Sequence, residues 1–300
     1  MDRLEAMTVL VAVVEGGSLS AGARRLGMPL PTVSRKVAEL EAHLGTRLLD
    51  RSSRRITETD AGRSYVLACR RILDDLAEAE REASGEYMAP KGELVVSAPV
   101  VFGRIHALPI VVAFLQAYPD IDIRLALADR VVDIAEEHVD LALRIAALPD
   151  SSLVARRVGD LRRLTCASPA YLERRGRPER PADLAAHDCI TFAGSAQSSA
   201  WTFGDERVLV RSRLLVNAAE PAVEAAVAGL GITRVLSYQA HHALRDGSLE
   251  IVLEGFEPPP LPVHLVHRGG RLLPLKLRAF IDFAAPRLKA GLADLVASSA

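Results

Sequence analysis

The segment LSAGARRLGMPLPTVSRKVAELEAHLG, Leu19 to Gly45, decides the reading of this chain. Its first part, Ser20 to Leu26, is a short helix of mostly small residues, broken by the tight turn Gly27-Met28-Pro29. A second helix is predicted from about Pro31 to Leu44. Val33, Val37, Leu40 and Leu44 recur there at 4-3-4 spacing and form one apolar stripe. The other face carries Thr32, Arg35, Lys36 and Glu39, with Ser34 at its edge. A helix that buries one side and offers hydroxyls and a guanidinium on the other can lie in a major groove and read base edges. Pro31, Thr32, Ser34, Arg35 and Lys36 are therefore its candidate DNA-facing residues. After Gly45 comes the apolar pair Leu48-Leu49 and then a basic loop, Arg51-Ser52-Ser53-Arg54-Arg55. Arg51, Arg54 and Arg55 are placed to hold phosphates or enter the minor groove. The whole reads as a winged helix-turn-helix that binds double-stranded DNA.

Working outward, an earlier helix spans about Leu4 to Glu15, with Leu4, Met7, Leu10, Val11 and Val14 as its expected apolar face. Gly16-Gly17 ends it, and Ser20 is the expected cap of the next helix. On the other side, from Asp60 to about Ser84, Tyr65, Cys69, Ile72, Leu76, Ala79 and Ala83 follow 4-3-4-3-4 spacing, a heptad seam. Arg70 with Asp74 and Arg71 with Asp75 add pairs on its flank. A long helix with a narrow seam beside a DNA-binding unit is expected to pair two chains; packing on its own domain is the other reading. Two recognition helices about one helical turn apart would read a roughly palindromic site.

The formal charge of the chain is -1, which by itself argues against nucleic acid. Its distribution argues the other way. Between Arg24 and Arg63 nine basic residues face five acids, so this stretch carries +4 and the rest carries -5. A local basic patch on a mildly acidic chain suits sequence-specific binding better than general coating of polyanions.

The chain has 300 residues, 49% of them apolar and 25% charged, enough for two or three globular domains. The expectation is that no apolar run approaches the ~18 residues of a membrane span. The start Met1-Asp2-Arg3-Leu4-Glu5 lacks the pattern of a secretory signal. Cys69, Cys166 and Cys189 lie far apart with no CxxC pair, which suits a reducing cytoplasm.

Several motifs together resemble the DNA-binding domain of LysR-type transcriptional regulators, over residues 1 to 62. They are Gly17-Ser18-Leu19-Ser20-Ala21-Gly22-Ala23, Pro31 to Val37, Leu40-Glu41-Ala42-His43-Leu44-Gly45-Thr46-Arg47-Leu48-Leu49, and Thr59-Asp60-Ala61-Gly62. The resemblance implies that Thr32, Ser34 and Arg35 face DNA and that Arg51, Arg54 and Arg55 form the wing. One departure is Met28-Pro29-Leu30-Pro31, where many members open the recognition helix with a serine-like cap; proline is tolerated in a first turn. The resemblance further implies a homodimer or homotetramer, an RNA polymerase partner, and a C-terminal half built like a periplasmic binding protein. A small organic acid or aromatic metabolite is the effector class it suggests.

The residues of that half agree with an α/β fold. Strand-like runs are Glu93 to Ser97, Asp122 to Leu127, Leu141 to Ile145, Arg162 to Ala167, Arg207 to Val216, Ile232 to Val235 and Pro262 to His267. Helical patterns lie at Arg104 to Tyr118, Val131 to Glu137, Pro169 to Arg175, Glu220 to Ala228, Tyr238 to Arg245 and Leu273 to Lys289. Such alternation implies mostly parallel sheets. The expected layout is a DNA-binding domain over 1–59, a linker helix over 60–85, a hinge over 86–91 and an effector domain over 92–300. Lobe I of that domain is about 92–162 with 266–300, and lobe II about 163–262, boundaries that rest largely on the resemblance.

Open α/β sheets bind ligands beyond the carboxyl ends of strands. Ser97, Pro99, Asp129, Arg144, Thr191, Phe192 and Asn217 fall at such places and are the candidate effector-binding residues. Arg144 offers a guanidinium for a carboxylate, or a pair with Asp133 or Asp140. No catalytic motif is present: GxSxG, the P-loop, GxGxxG after a strand and HExxH are all missing. Cys166, His187 and Cys189 lack a second ligand pair at metal-site spacing. Neither enzyme nor cofactor is expected. The expected function is a DNA-binding regulator whose C-terminal half senses a small molecule. The alternatives are a solute-binding module, or a constitutive repressor whose C-terminal half only oligomerises.

Overall fold

Asp2 opens the first helix, α1 (Arg3–Gly16), its carboxylate accepting hydrogen bonds from the Leu4 and Glu5 N–H groups at 3.0 and 3.3 Å. This computed structural model describes residues 2–50, 56–83, 89–134, 136–149, 151–192, 200–269 and 273–297. The chain divides into two units, Met1–Gly92 and Glu93–Ala300.

In the first unit α1 is followed by α2 (Leu19–Leu26) and α3 (Leu30–Leu44). The cap of α2 is Ser18, whose hydroxyl accepts from Ala21 N at 3.1 Å, and not Ser20. Gly27 closes α2 at φ +63°, a conformation other residues adopt only with strain. Pro29 precedes α3 without a side-chain cap, and Pro31 sits in its first turn, where no N–H is needed. The two-stranded wing pairs β1 (Leu49–Asp50) with β2 (Thr57–Glu58), Leu49 opposite Glu58. Arg51, Arg54 and Arg55, expected from sequence to form the wing, lie outside the described residues.

The core of this unit is Ala6, Val9, Leu10, Val13, Val33, Val37, Leu40, Leu48, Leu49, Val66 and Cys69. Two expected faces shift. In α1 the buried stripe is Ala6, Val9, Leu10 and Val13; Leu4 is exposed, and Met7, Val11 and Val14 are only partly covered. In α3 the stripe ends at Leu40, with Leu44 exposed. The motif around Thr59 has a physical account. The Glu41 carboxylate accepts from Leu48 N at 2.8 Å and Leu49 N at 3.1 Å, which anchors the turn after α3. Thr59 Oγ1 donates to Arg47 O at 2.8 Å and accepts from Gly62 N at 2.9 Å. Helix α4 (Asp60–Ala83) then starts so close to the preceding chain that a Cβ on Gly62 would lie 1.8 Å from the Leu48 carbonyl oxygen.

The seam expected along α4 splits. Cys69 is fully buried in the core of its own unit and Tyr65 packs against that core, so both are withdrawn from the dimer seam. Ile72 and Leu76 remain exposed at 39% and 36%. Ala79 and Ala83 have side chains outside the described ones, as do Asp74 and Asp75 of the expected flank pairs. Arg70 reaches Glu15 of α1 at 3.5 Å.

The second unit holds two five-stranded sheets. One has the order β4-β3-β5-β14-β6, from Ile121–Leu127, Gly92–Ala98, Leu141–Ile145, Leu261–Arg268 and Leu153–Leu161. The other has β11-β8-β12-β7-β13, from Arg211–Val216, Asp188–Phe192, Ile232–Leu236, Arg163–Ala167 and Glu250–Val252. A hairpin of β9 (Ala200–Phe203) and β10 (Glu206–Leu209) sits beside the second, so the run from Arg207 to Val216 is two strands. The sheets are mixed, where mostly parallel ones were expected: β3 pairs with β5, and β8 with β11 and β12, in parallel. β14 runs antiparallel to β5 and β6, and β7 antiparallel to β12 and β13. The chain passes from the first sheet to the second between Leu161 and Arg163, and returns before Leu261. A strand that re-enters from the far lobe is free of the βαβ crossover that enforces parallel pairing.

The helices are α5 (Val100–Ala117), α6 (Pro169–Arg175), α7 (Ala219–Val227), α8 (Ser237–Arg245) and α9 (Leu275–Ala297). Helix α5 contains a π turn over Gly103–Ala107. The helix expected at Val131 to Glu137 is absent from its described residues, of which Ile134, Glu136 and Glu137 form turns. There Glu137 pairs with Arg130 and accepts from Asp133 N at 3.0 Å, local bonds that compete with a helix. With a mean hydropathy of 1.7, α5 is long and apolar enough to cross a membrane, which corrects the expectation that no stretch approaches that length. Its Phe102, Ala107, Val111 and Phe114 pack into the lobe I core with Leu277, Phe280 and Ile281 of α9. Lobe II buries Trp201, Phe203 and Ile232 on one face of its sheet, and Ile190, Ala222 and Val235 on the other.

Candidate nucleic-acid interface and ligand cleft

On α3, burial of Val33, Val37 and Leu40 turns the opposite face outward. Arg35 is 69% exposed, with a loose 3.8 Å contact to Glu39 four residues on. Thr32 and Ser34 are half-buried beside it, and Pro31 is exposed. These are hydroxyl and guanidinium groups on one helix surface, the donor and acceptor set that base edges require. Lys36 departs from the expectation. Its ammonium lies 2.5 Å from Glu5 Oε2 and its side chain is only 16% exposed, so it ties α3 to α1.

In the second unit a cleft of about 200 Å³ opens between the two lobes. Lobe I contributes Pro99, Val101, Asp129, Ile145 and Leu261 to its walls. Lobe II contributes residues including Arg163, Phe192, Asn217, Arg234 and Tyr238. Of the sequence-expected residues, Pro99, Asp129, Phe192 and Asn217 line it, and Ser97, Arg144 and Thr191 do not. Ser97 is buried inside β3. Arg144 donates from Nη2 to the Val132 carbonyl at 2.7 Å. Thr191 Oγ1 lies 2.5 Å from Ser212 Oγ on the neighbouring strand. A strand's alternation sends one residue of each pair away from the cleft, and the sequence pattern does not say which.

Asp129 caps α5: its Oδ1 accepts from Val100 N at 3.0 Å, so a protein carboxylate already occupies that helix N-terminus. The opposite wall is cationic. Arg234, on β12, is 9% exposed. It stacks 4.2 Å above the Phe203 ring and donates from Nη2 to Thr202 O at 2.7 Å. Burial first, and then the Arg163 charge, lower its pKa to about 10. Arg163, which opens β7, is lowered by burial as well. Neither arginine was singled out from sequence, because each reads as an ordinary polar residue in a strand. Tyr238, also missed, reaches from α8 into the lobe I core, edge-on to Phe102 at 5.4 Å, and burial raises its phenol well above the usual range. Across the lobes Arg104 Nη2 meets Glu220 Oε1 at 2.9 Å.

Cys166 and Cys189 face opposite sides of the lobe II sheet, and His187 Nδ1 lies 3.2 Å from Tyr171 OH. Among the described residues no three metal-ligating side chains converge.

Comparison with known proteins places both units. Residues 4–63 match the model of the bacterial regulatory helix-turn-helix protein, lysR family, and residues 89–289 match the LysR substrate binding domain. An HTH-type transcriptional regulator of Xanthomonas campestris pv. campestris is 37% identical over 288 residues, covering 93% of this chain and 84% of its own. The structure of CrgA, a LysR-type transcriptional regulator from Neisseria meningitidis, is similar with a TM-score of 0.61 at 31% identity, over 95% of this chain and 98% of CrgA. The full-length structure of AphB, the Vibrio cholerae virulence activator, gives 0.59 at 30% identity, over 94% and 98%. An exposed recognition helix on one unit and a two-lobed cleft on the other are what such a regulator requires, and this chain belongs to the LysR family of DNA-binding transcriptional regulators.

Proposed function

We propose that this regulator reads a roughly palindromic operator through Thr32, Ser34 and Arg35 of α3 and responds to a small molecule held between the lobes of its second unit. The observation that carries the reading is the cleft, whose walls come from both lobes while the chain crosses between them twice. A ligand that touches both walls favours one lobe arrangement over another, and a state can shift only through such differential affinity. Arg51, Arg54 and Arg55 hold phosphates in this scheme. Ile72 and Leu76 continue the α4 seam and pair two chains into a homodimer or, by further contacts, a homotetramer. The protein acts in the cytoplasm with RNA polymerase as a further partner, and as a regulator without enzymatic activity.

Fluorescence anisotropy tests this, with the purified full chain, the DNA immediately upstream of its own gene and a scrambled duplex at two salt concentrations. Selective binding with a steep salt slope, altered by at least one small metabolite, is expected. Selective binding indifferent to every metabolite would instead favour a constitutive repressor.

A further inference from the structure

The geometry points to an anion subsite in the interlobe cleft: Arg163 and Arg234 receive the carboxylate of a small organic acid whose apolar body lies against Phe192, Val235 and Leu261. This rests on the reading of the cleft as the effector site, and adds the charge and orientation of the ligand.

The argument begins with an imbalance. Removing a guanidinium from water is costly unless a counter-charge meets it. Arg234 is more than nine-tenths buried, and its Nε has no hydrogen-bond partner. Its only hydrogen bond described goes to a neutral carbonyl, that of Thr202. Arg163 has no hydrogen bond or ion pair among the described residues, and its charge adds to the burial that lowers Arg234. Glu257, the acid whose charge acts on Arg234, is engaged elsewhere. Its two oxygens accept from Arg162 Nε and Nη2, both at 2.8 Å, and Glu254 adds a second pair to the same guanidinium at 2.7 Å. The protein thus presents two positive charges to one cavity and leaves their neutralisation to something that enters it.

Orientation follows from the opposite wall. Asp129 is a carboxylate already bound to the start of α5, so it repels an anion from the lobe I end and directs it to the arginines. Between the two poles the lining is Val101, Ile145, Phe192, Val235, Leu236 and Leu261, which suits an apolar body. Arg162, the residue before Arg163, clamps Glu257 on the returning crossover, so a ligand held by Arg163 touches the segment on which the lobes would hinge.

The test is the thermal stability of the full chain with matched probes at constant ionic strength. Benzoate, phenylacetate, hexanoate and glutarate are each compared with the corresponding neutral amide, and benzoate also with benzamidine. At least one acid is expected to raise the melting temperature where its amide does not, with affinity on the order of 30-fold or more above the amide. Arg163→Gln and Arg234→Met should each abolish that shift. Arg163→Gln should melt, without ligand, at or above the parent, because it removes an unpaired half-buried charge. The proposal is overturned if no acid stabilises more than its amide, if the shift survives in both variants, or if Arg163→Gln without ligand melts well below the parent. Asn217→Trp, which fills the cleft, separates the two levels of the argument. An acid that ignores both arginines but is lost in Asn217→Trp removes the anion subsite and keeps the cleft as the effector site. An acid unaffected by all three variants removes both.

Discussion

Gly62→Ala isolates a single contact of the DNA-binding unit. Two effects oppose one another. Alanine is the better helix former by about 1 kcal/mol, and Gly62 lies within α4, so propensity alone makes the variant more stable. Against this, the new Cβ would stand 1.8 Å from the Leu48 carbonyl oxygen, where real Cβ contacts stay above 3.0 Å. Both sides of that contact are backbone, so no rotamer change relieves it. Helix α4 must retreat by about 1.2 Å, the difference of those two distances. That movement strains the Thr59 and Glu41 hydrogen bonds that hold the turn. Overpacking of this kind costs about 3 kcal/mol at the upper end of its range, so the net loss is about 2 kcal/mol. For a unit of this size that lowers its Tm by roughly 8–16 °C. Calorimetry of the full chain, following the N-terminal unit's transition, reads the effect, and specific DNA affinity should fall with it. Gly27→Asn is the control. No atom lies within 4 Å of its Cβ position, and Asn tolerates φ +63°, so its cost should stay under about 1 kcal/mol. A Gly62→Ala chain that melts within about 2 °C of the parent would refute the close-approach argument.

Four further predictions concern other parts of the molecule. Arg35→Ala should cost roughly 1–3 kcal/mol on the preferred operator and relax preference at one base position, as competition binding would show. Lys36→Ala should leave operator preference unchanged and lower the unit's stability by no more than about 1 kcal/mol, the worth of its bond to Glu5. Leu76→Asp should halve the mass seen by light scattering, and a variant that stays dimeric would remove Ile72 and Leu76 from the interface. The last concerns pH. Burial lowers His106 below the ordinary imidazole value of 6.5, so between its folded pKa and that value the unfolded chain binds more protons. Stability of the second unit is then fully present above pH 6.5 and declines as pH falls through the window. His106→Leu should flatten that slope in urea titrations; His187, lowered for the same first cause, retains the remainder.

How far the sequence carries differs between the two units. The N-terminal one is built from local codes: helix periodicity in Val33, Val37 and Leu40, and the break at Gly27. Such signals act over a few residues and survive without an alignment. Even there Lys36 misled, because its partner Glu5 lies on another helix, and Cys69 misled because a heptad spacing cannot tell a partner chain from the helix's own domain. Strands β6, β8, β9 and β13 went unread: β9 and β13 are too short to show a period, and exposure along β6 and burial along β8 run without alternation.

By itself, then, the sequence determined the helix-turn-helix, the alternating α/β texture of the second unit and the family. Tertiary structure alone decided which way β14 runs, which residues of each strand face the cleft, and that Arg163 and Arg234 meet there unpaired. The physical reason is range. Caps and stripes are settled by neighbours in the chain, whereas the burial of a charge depends on residues from β7, β12 and the two crossovers, which only folding brings together.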